Sequence, residues 1–147
     1  MIVYDRLKSE YCLTLSLLEK EIFGEDAWSE DDFRETICCD YAYYLVAKDG
    51  DEIIGCAGLR NMCGDADITN VFVRDGYRRR GIAEEMLKKL MEESRGIGAR
   101  NFTLEVRSSN YAAIRLYEKL GFVSEGVRPG FYDHPKEDAL IYWIRND

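Results

Sequence analysis

The stretch Thr69-Asn70-Val71-Phe72-Val73-Arg74-Asp75-Gly76-Tyr77-Arg78-Arg79-Arg80-Gly81-Ile82-Ala83 decides how the chain folds. Asn70 to Val73 is a short run rich in β-branched and aromatic residues, which reads as a strand. Asp75-Gly76 breaks it, and from Ile82 a helical spacing sets Met86, Leu87, Leu90, Met91 and Ile97 on one face. A strand that leads through a glycine loop into a helix leaves first-turn N–H groups without intrahelical partners, and the macrodipole there favours an anion. Gly81 lets a ligand come close to the main chain, and Ala83 is too small to block it. Phosphate or pyrophosphate suits such a site. The stretch has neither the Lys-Ser/Thr of a P-loop nor the three glycines of a dinucleotide fingerprint. One helix terminus contributes about 0.3–1 kcal/mol, whereas micromolar binding needs about 8 kcal/mol. Main-chain hydrogen bonds, arginine contacts and buried ligand surface must supply the rest.

Toward the N-terminus, Ile2 to Arg6 reads as a strand, and Ser9 caps a helix with the apolar stripe Tyr11, Leu15, Leu18 and Ile22, ended by Gly24. Ser29 and Asp32 form a near capping box for a short second helix carrying Phe33 and Ile37. Trp28 stands where a hydrophobic staple against Phe33 would form. Strands Tyr41 to Lys48 and Glu52 to Leu59 meet at Asp49-Gly50, a strong hairpin signal, and a turn over Asn61 to Asp65 leads into strand Ala66 to Val73. Toward the C-terminus the order is helix Ile82 to Gly96, strand Asn101 to Arg107, helix Ala112 to Lys119, strand Phe122 to Arg128 and strand Asp138 to Arg145. Strand–helix–strand alternation implies a parallel pairing with a right-handed crossover helix. No repeat or linker interrupts the 147 residues, so one domain spanning 1–147 is expected.

With 46% apolar and 33% charged residues the composition is that of an ordinary globular protein able to bury a core. A net charge of −8 disfavours nucleic acid as a partner, so the Arg78–Arg80 cluster reads as a local feature; the same charge would attract a basic peptide or amine. Cys12, Cys38, Cys39, Cys56 and Cys63 are odd in number, contain no C-x-x-C pair and have one distant histidine, so neither a zinc site nor a disulfide framework is expected. The N-terminus has no basic region leading into an apolar one, and no apolar run reaches membrane-spanning length. A cytoplasmic protein with no membrane partner and no metal is the expectation.

Leu104-Glu105-Val106-Arg107 places Phe102, Leu104 and Val106 on one face of a strand and Thr103, Glu105 and Arg107 on the other. Glutamate in mid-strand is unusual where both faces of a sheet are covered. Its plain structural role would be an ion pair with a neighbouring cation. After it comes Ser109-Asn110-Tyr111-Ala112-Ala113-Ile114-Arg115-Leu116-Tyr117-Glu118-Lys119-Leu120-Gly121-Phe122, in which Asn110 caps a helix.

From end to end these segments resemble the GNAT acyltransferase superfamily. Arg78-x-x-Gly81-x-Ala83 is similar to its Arg/Gln-x-x-Gly-x-Gly/Ala motif, and the stretch from Leu104 to Phe122 is similar to its bacterial ribosomal-protein alanine N-acetyltransferase branch. The resemblance implies a mixed α+β and α/β architecture, the GNAT fold: a mostly antiparallel sheet of about seven strands, helices on both faces and one βαβ crossover. It implies acetyl-CoA as cosubstrate, with Arg78, Arg79, Arg80, Gly81, Ile82, Ala83 and Glu84 around the pyrophosphate and Asn110 touching the pantetheine. Val71, Phe72 and Val73 would supply main-chain donors to the thioester oxygen through a bulge, with the bulk of Phe72 narrowing the channel. Glu105 would be the general base and Tyr117 the general acid. The helix–helix loop at Trp28 would wall the substrate site. Arg128-Pro129-Gly130-Phe131-Tyr132-Asp133-His134-Pro135 is similar to the branch's peptide-gripping loop, with Phe131 replacing the first of two tyrosines and Tyr132 retaining the second. His134 is an alternative base.

The implied reaction is Nα-acetylation of a basic partner, the N-terminal alanine of a small-subunit ribosomal protein, by direct attack. An amine must be neutral to attack: at pH 7 that costs roughly 1.4 kcal/mol for an α-amino group and roughly 4.6 for a lysine, which favours a peptide N-terminus. Two other readings stay open at this point: a GNAT acting on a small-molecule amine or another protein N-terminus, and a non-catalytic acyl-CoA sensor. Glu105 and Tyr117 favour an enzyme, since binding alone needs only the loop.

Overall fold

The computed structural model describes residues 1–146; Asp147 lies outside the described residues. Seven strands, β1 (Ile2–Arg6), β2 (Ala42–Asp49), β3 (Glu52–Met62), β4 (Asp65–Val73), β5 (Asn101–Arg107), β6 (Val123–Tyr132) and β7 (Glu137–Ile144), form one sheet in the order β1-β2-β3-β4-β5-β7-β6. Only β4 and β5 pair in parallel, joined by a crossover through helix α3 (Ile82–Glu93). β5 and β6 are also linked by a helix, α4 (Tyr111–Lys119), yet β7 inserts between them and pairs antiparallel with both. The alternation of elements therefore yields one parallel pairing.

Each face of the sheet has its own core. Helices α3 and α4 cover one face, where Leu87, Leu90, Phe102, Leu104 and Tyr117 are buried. Helices α1 (Cys12–Phe23) and α2 (Glu30–Ile37) cover the other face only over β2, β3 and β4, where Leu15, Phe33, Tyr44, Cys56 and Phe72 are buried. That second core contains no residue of β5, β6 or β7. Burial of a Phe33-sized side chain contributes about 1.5–3 kcal/mol, so these two layers fix the sheet while half of one face stays without a helix.

Local sequence chemistry explains most boundaries. Ser29 Oγ accepts the Asp32 N–H at 3.1 Å, while Asp32 Oδ2 accepts the Ser29 N–H at 2.8 Å, a complete capping box, and Trp28 packs on Phe33 with ring centroids 5.2 Å apart. Ser9 does not cap α1. Ser9–Tyr11 instead forms a 3₁₀ turn, because Tyr11 is anchored to β1 by its hydroxyl, 2.7 Å from Asp5 Oδ2. α3 ends at Glu93 and finishes in a 3₁₀ turn over Ser94–Ile97. The β3–β4 turn tightens to Cys63-Gly64, and β6 runs on through Tyr132, so Phe131 and Tyr132 sit on a strand end and only Asp133–Lys136 form the loop. All five cysteines are unpaired, and no helix among the described residues is long and apolar enough to cross a membrane.

The decisive irregularity lies in β4. Gly58 pairs with Asn70 and Leu59 with Ile68, leaving Thr69 as the extra residue of a bulge. The bulge inverts the alternation: Ala66 and Ile68 face α3 and α4, whereas Phe72 faces α1 and α2. Its position is two residues upstream of the Val71–Val73 segment where the sequence comparison had placed it. Phe72 consequently narrows no channel; it is buried against Phe23, edge-to-face at 6.0 Å.

Candidate active site

β4 and β5 pair only from Asp65↔Asn101 to Asp67↔Thr103. Beyond that point the strands part, and a cleft of about 570 Å³ opens between them. Its walls come from β4 (Ile68 to Val71), β5 (Leu104 to Arg107), the end of α1 with Trp28, and the segment Phe131 to His134, with Asn110 and Tyr117 from the start and core of α4. Because α1 and α2 stop short of β5, the odd face of that strand opens here, which is why a mid-strand glutamate is tolerated.

Glu105 is the centre of this wall. Its Oε2 lies 3.1 Å from Arg128 Nε, yet that buried oxygen accepts no hydrogen bond. Arg128 reaches it diagonally across β7, since Glu105 stands in register with Ile141 and Gly126, and Arg128 with Ala139 and Arg107 in the next row. Burial pushes the Glu105 carboxyl above the ordinary carboxylate range; Arg128 pulls it back and Asp67 pushes it up. A carboxyl of raised basicity at the wall of a cleft is suited to accepting a proton.

Tyr117 is buried and lines the same cleft, its ring packed edge-to-face on Phe122 at 5.8 Å. Desolvation pushes its phenol up to about 12, so it is a proton-bearing donor at neutral pH. Asn110 combines two positions: Oδ1 caps α4 by accepting the Ala113 N–H at 3.3 Å, and the residue lines the cleft. Val71 lines it too, whereas Val73 lies in the core and its carbonyl accepts from Arg78 Nε at 3.3 Å.

The loop after β4 has the chemistry of an anion site. Gly81 is the N-cap of α3 at φ 75°, with no side chain capping the first turn. Arg79 also has positive φ, 65°, so left-handed residues alternate along Arg79-Arg80-Gly81 in the manner of an anion-binding nest. The arginines themselves are partly committed: Arg78 braces Val73 and pairs with Asp75 at 3.2 Å, and Arg80 stacks over Tyr77 at 4.9 Å. Ile82 is buried and Ala83 packs against the same core. Glu84 pairs with Lys88 and Lys119 at 3.1 and 2.9 Å, which holds its carboxyl below the usual range.

At the C-terminal lip of the cleft, Tyr132 and Phe131 stack edge-to-face at 5.1 Å, and burial and Glu105 raise the Tyr132 phenol. His134 Nε2 stands 3.4 Å from Glu25 Oε2 across the mouth. Behind Trp28 lies a polar network that sequence reasoning missed. Glu19, buried in α1, accepts the Trp28 N–H at 2.8 Å and Asn70 Nδ2 at 3.1 Å. Tyr44 and Thr69 both donate to Asn70 Oδ1 at 2.8 Å and contact one another. Burial holds the Glu19 carboxyl above its ordinary range. The available signal was Asn70, a polar residue in an otherwise apolar strand.

Residues 10–122 match the acetyltransferase (GNAT) family. The chain is 33% identical over 116 residues to the [ribosomal protein bS18]-alanine N-acetyltransferase of Escherichia coli (strain K12), covering 78% of each chain. It is 32% identical over 135 residues to the N-alpha-acetyltransferase RimI of Mycobacterium tuberculosis (strain ATCC 25618 / H37Rv), covering 88% of this chain and 82% of the relative. The crystal structure of the ribosomal-protein-S18-alanine N-acetyltransferase from Escherichia coli superposes with a TM-score of 0.87 at 27% identity, covering 98% of this chain and 93% of that one. A split β4–β5 pair, an uncapped helix after a glycine loop and matching sequence lead to one assignment: the chain belongs to the GNAT acetyltransferase family.

Proposed function

We propose that this cleft transfers an acetyl group from acetyl-CoA to a protein N-terminus, with the N-terminal alanine of a small-subunit ribosomal protein as acceptor. The observation that carries the reading is Glu105 Oε2, buried at the cleft wall and accepting no hydrogen bond. The alanine of a ribosomal protein follows the name of the Escherichia coli relative, and the N-alpha-acetyltransferase of Mycobacterium tuberculosis supports a protein N-terminus as acceptor. A cytoplasmic place beside its ribosomal substrate accords with five unpaired cysteines.

The residues present fit acetyl-CoA. The uncapped first turn after Gly81 and the Arg79–Gly81 nest suit a pyrophosphate, and the edge of β4 past Asp67, without a β5 partner, suits an extended pantetheine arm. Arg78 to Glu84, Val71 to Val73 and Asn110 would hold it. When bound it supplies an activated acyl carbon and a thiol leaving group.

Glu105 takes a proton from the incoming α-ammonium, releasing the lone pair that forms the new C–N bond. Main-chain N–H groups on the open edge of β4 stabilise the carbonyl oxygen as charge builds there. Tyr117 donates a hydrogen bond to the departing sulfur as the C–S bond breaks. Magnitudes define that role: handing a proton from a phenol near 12 to a thiolate near 8.5 is uphill by about 5 kcal/mol. Tyr117 therefore serves best as a hydrogen-bond donor that passes on a proton released by the amine.

Turnover of acetyl-CoA with an alanine-initiated ribosomal peptide, measured as free thiol beside a polyamine and an internal-lysine peptide, tests this. Preferential turnover of the alanine peptide is expected. Coenzyme binding without thiol release for any amine would establish a sensor instead.

A further inference from the structure

Arg107 lies two residues beyond Glu105 on the same face of β5, and no established role in the chemistry accounts for its contacts. Its Nη1 donates to the Pro135 carbonyl at 2.8 Å and to Glu137 Oε1 at 3.3 Å, and its Nη2 donates to the Asp133 carbonyl at 2.8 Å. The guanidinium also stacks over the Tyr132 ring at 4.5 Å. Nη2 reaches Asp26 Oδ2, in the turn after α1, at 3.9 Å. One planar fork thus gathers two carbonyls of the Asp133–Lys136 loop, the ring just before it and the acidic turn on the opposite lip. Asp26, Tyr132 and Asp133 all line the cleft. Glu137 is itself fixed by the Ser109 N–H at 2.7 Å and Ser108 Oγ at 3.1 Å, so the anchor is tied to the segment entering α4.

We propose that Arg107 is a positioning residue for the acceptor, holding both lips of the peptide entrance in register with Glu105 while leaving acetyl-CoA to β4 and the Gly81 loop. The proposal rests on the reading of the cleft as a peptide N-terminus site. Lysine cannot replace the guanidinium here, because a point charge cannot bridge carbonyls two residues apart and stack on a ring at once.

The test uses the full chain carrying Arg107→Lys or Arg107→Met, with two readouts. In steady-state kinetics with an alanine-initiated peptide, both variants should raise the acceptor KM by about tenfold or more, as expected for loss of charge-assisted hydrogen bonds. The KM for acetyl-CoA should stay within about twofold. Amide hydrogen exchange over 131–136 should quicken in Arg107→Lys while exchange in β4 is unchanged. An unchanged acceptor KM, or equal losses for both substrates and kcat, would overturn the proposal. Should the unmodified enzyme turn over no peptide, the functional reading fails by itself; hydrogen exchange then decides for Arg107, and unchanged protection of 131–136 overturns it.

Discussion

Replacing Gly58 by alanine should destabilise the protein, although strand propensity alone gives the opposite sign. Glycine within a strand costs about 0.5–1 kcal/mol relative to alanine, so a sequence argument expects a gain. The structure reverses it. Tyr44, Gly58 and Asn70 stand in register across β2, β3 and β4, and the Tyr44 ring lies flat over Gly58. A Cβ on residue 58 would come within 2.1, 2.2 and 2.3 Å of three Tyr44 ring carbons. The ring has nowhere to go: it is 2% exposed, flanked by Trp28 at 5.8 Å, and its hydroxyl is bound to Asn70 at 2.8 Å. Overpacking costs about 1–3 kcal/mol, and stranding a buried polar partner adds about 1–3 kcal/mol. After the propensity gain is subtracted, a net loss of about 1–5 kcal/mol remains, which at roughly 3 °C per kcal/mol corresponds to a melting temperature lower by about 3–15 °C. Calorimetry under reducing conditions measures it, and Tyr44→Ala provides the control, since alanine at 58 should be nearly harmless once the ring is gone. A Gly58→Ala protein melting within about 2 °C of the parent, or a loss undiminished in the Tyr44→Ala background, would refute the reasoning.

Glu105→Gln should lower kcat by about 10²–10⁴-fold with acetyl-CoA affinity preserved, read from steady-state rates and calorimetric titration; an unchanged rate removes Glu105 as the base. Tyr117→Phe should lower kcat by a smaller factor, because a hydrogen bond to sulfur is lost rather than an obligatory proton. Arg128→Gln has a pH signature. The guanidinium pulls the Glu105 carboxyl down against burial, so without it the group protonates at higher pH and the acid limb of kcat/KM moves upward; a limb that stays in place or moves down contradicts the assignment. A Cβ at residue 81 would meet no atom within 4 Å, but Gly81→Val strains a residue at φ 75°, so coenzyme affinity measured by titration should fall while the sheet stays folded.

Much of the site was legible because its signals are local. Alternation along β5 set Phe102, Leu104 and Val106 in the core and Glu105 and Arg107 on the open face. Capping chemistry at Ser29 and Asn110 and the glycine at 81 located three helix starts. The bulge at Thr69 was not legible, since β4 has no glycine or proline to mark it. Its cause is the Tyr44 hydroxyl, bound to Thr69 and Asn70 from a strand 25 residues earlier. Because side chains alternate with a period of two, that single extra residue reversed the facing of Phe72. Glu19 escaped because its partners are distant: helical spacing from Leu15 puts it on the buried stripe, but Asn70, one of its two partners, is 51 residues away. Arg107 was visible as a residue but not as a clasp, because its acceptors are main-chain carbonyls, which sequence does not display.

The surroundings of the two glutamates, Glu19 in α1 and Glu105 in β5, follow from how the second face is covered. α1 and α2 span β2, β3 and β4 only, so the sheet has a dry half and an open half meeting at the line where β4 and β5 part. At the edge of the covered half, Glu19 lines the cleft but is itself buried, and its two oxygens accept from the Trp28 N–H and from Asn70 Nδ2. On the open half, Glu105 lines the cleft with its buried Oε2 3.1 Å from Arg128 Nε, an ion pair without an aligned hydrogen bond. A parallel pair closed along its whole length would bury Glu105 more deeply, where desolvation, costing several kcal/mol per ion, offsets what its Arg128 partner returns. The parting of β4 from β5 thus opens the cleft and keeps the mid-strand carboxylate at its wall, so the two features stand or fall together.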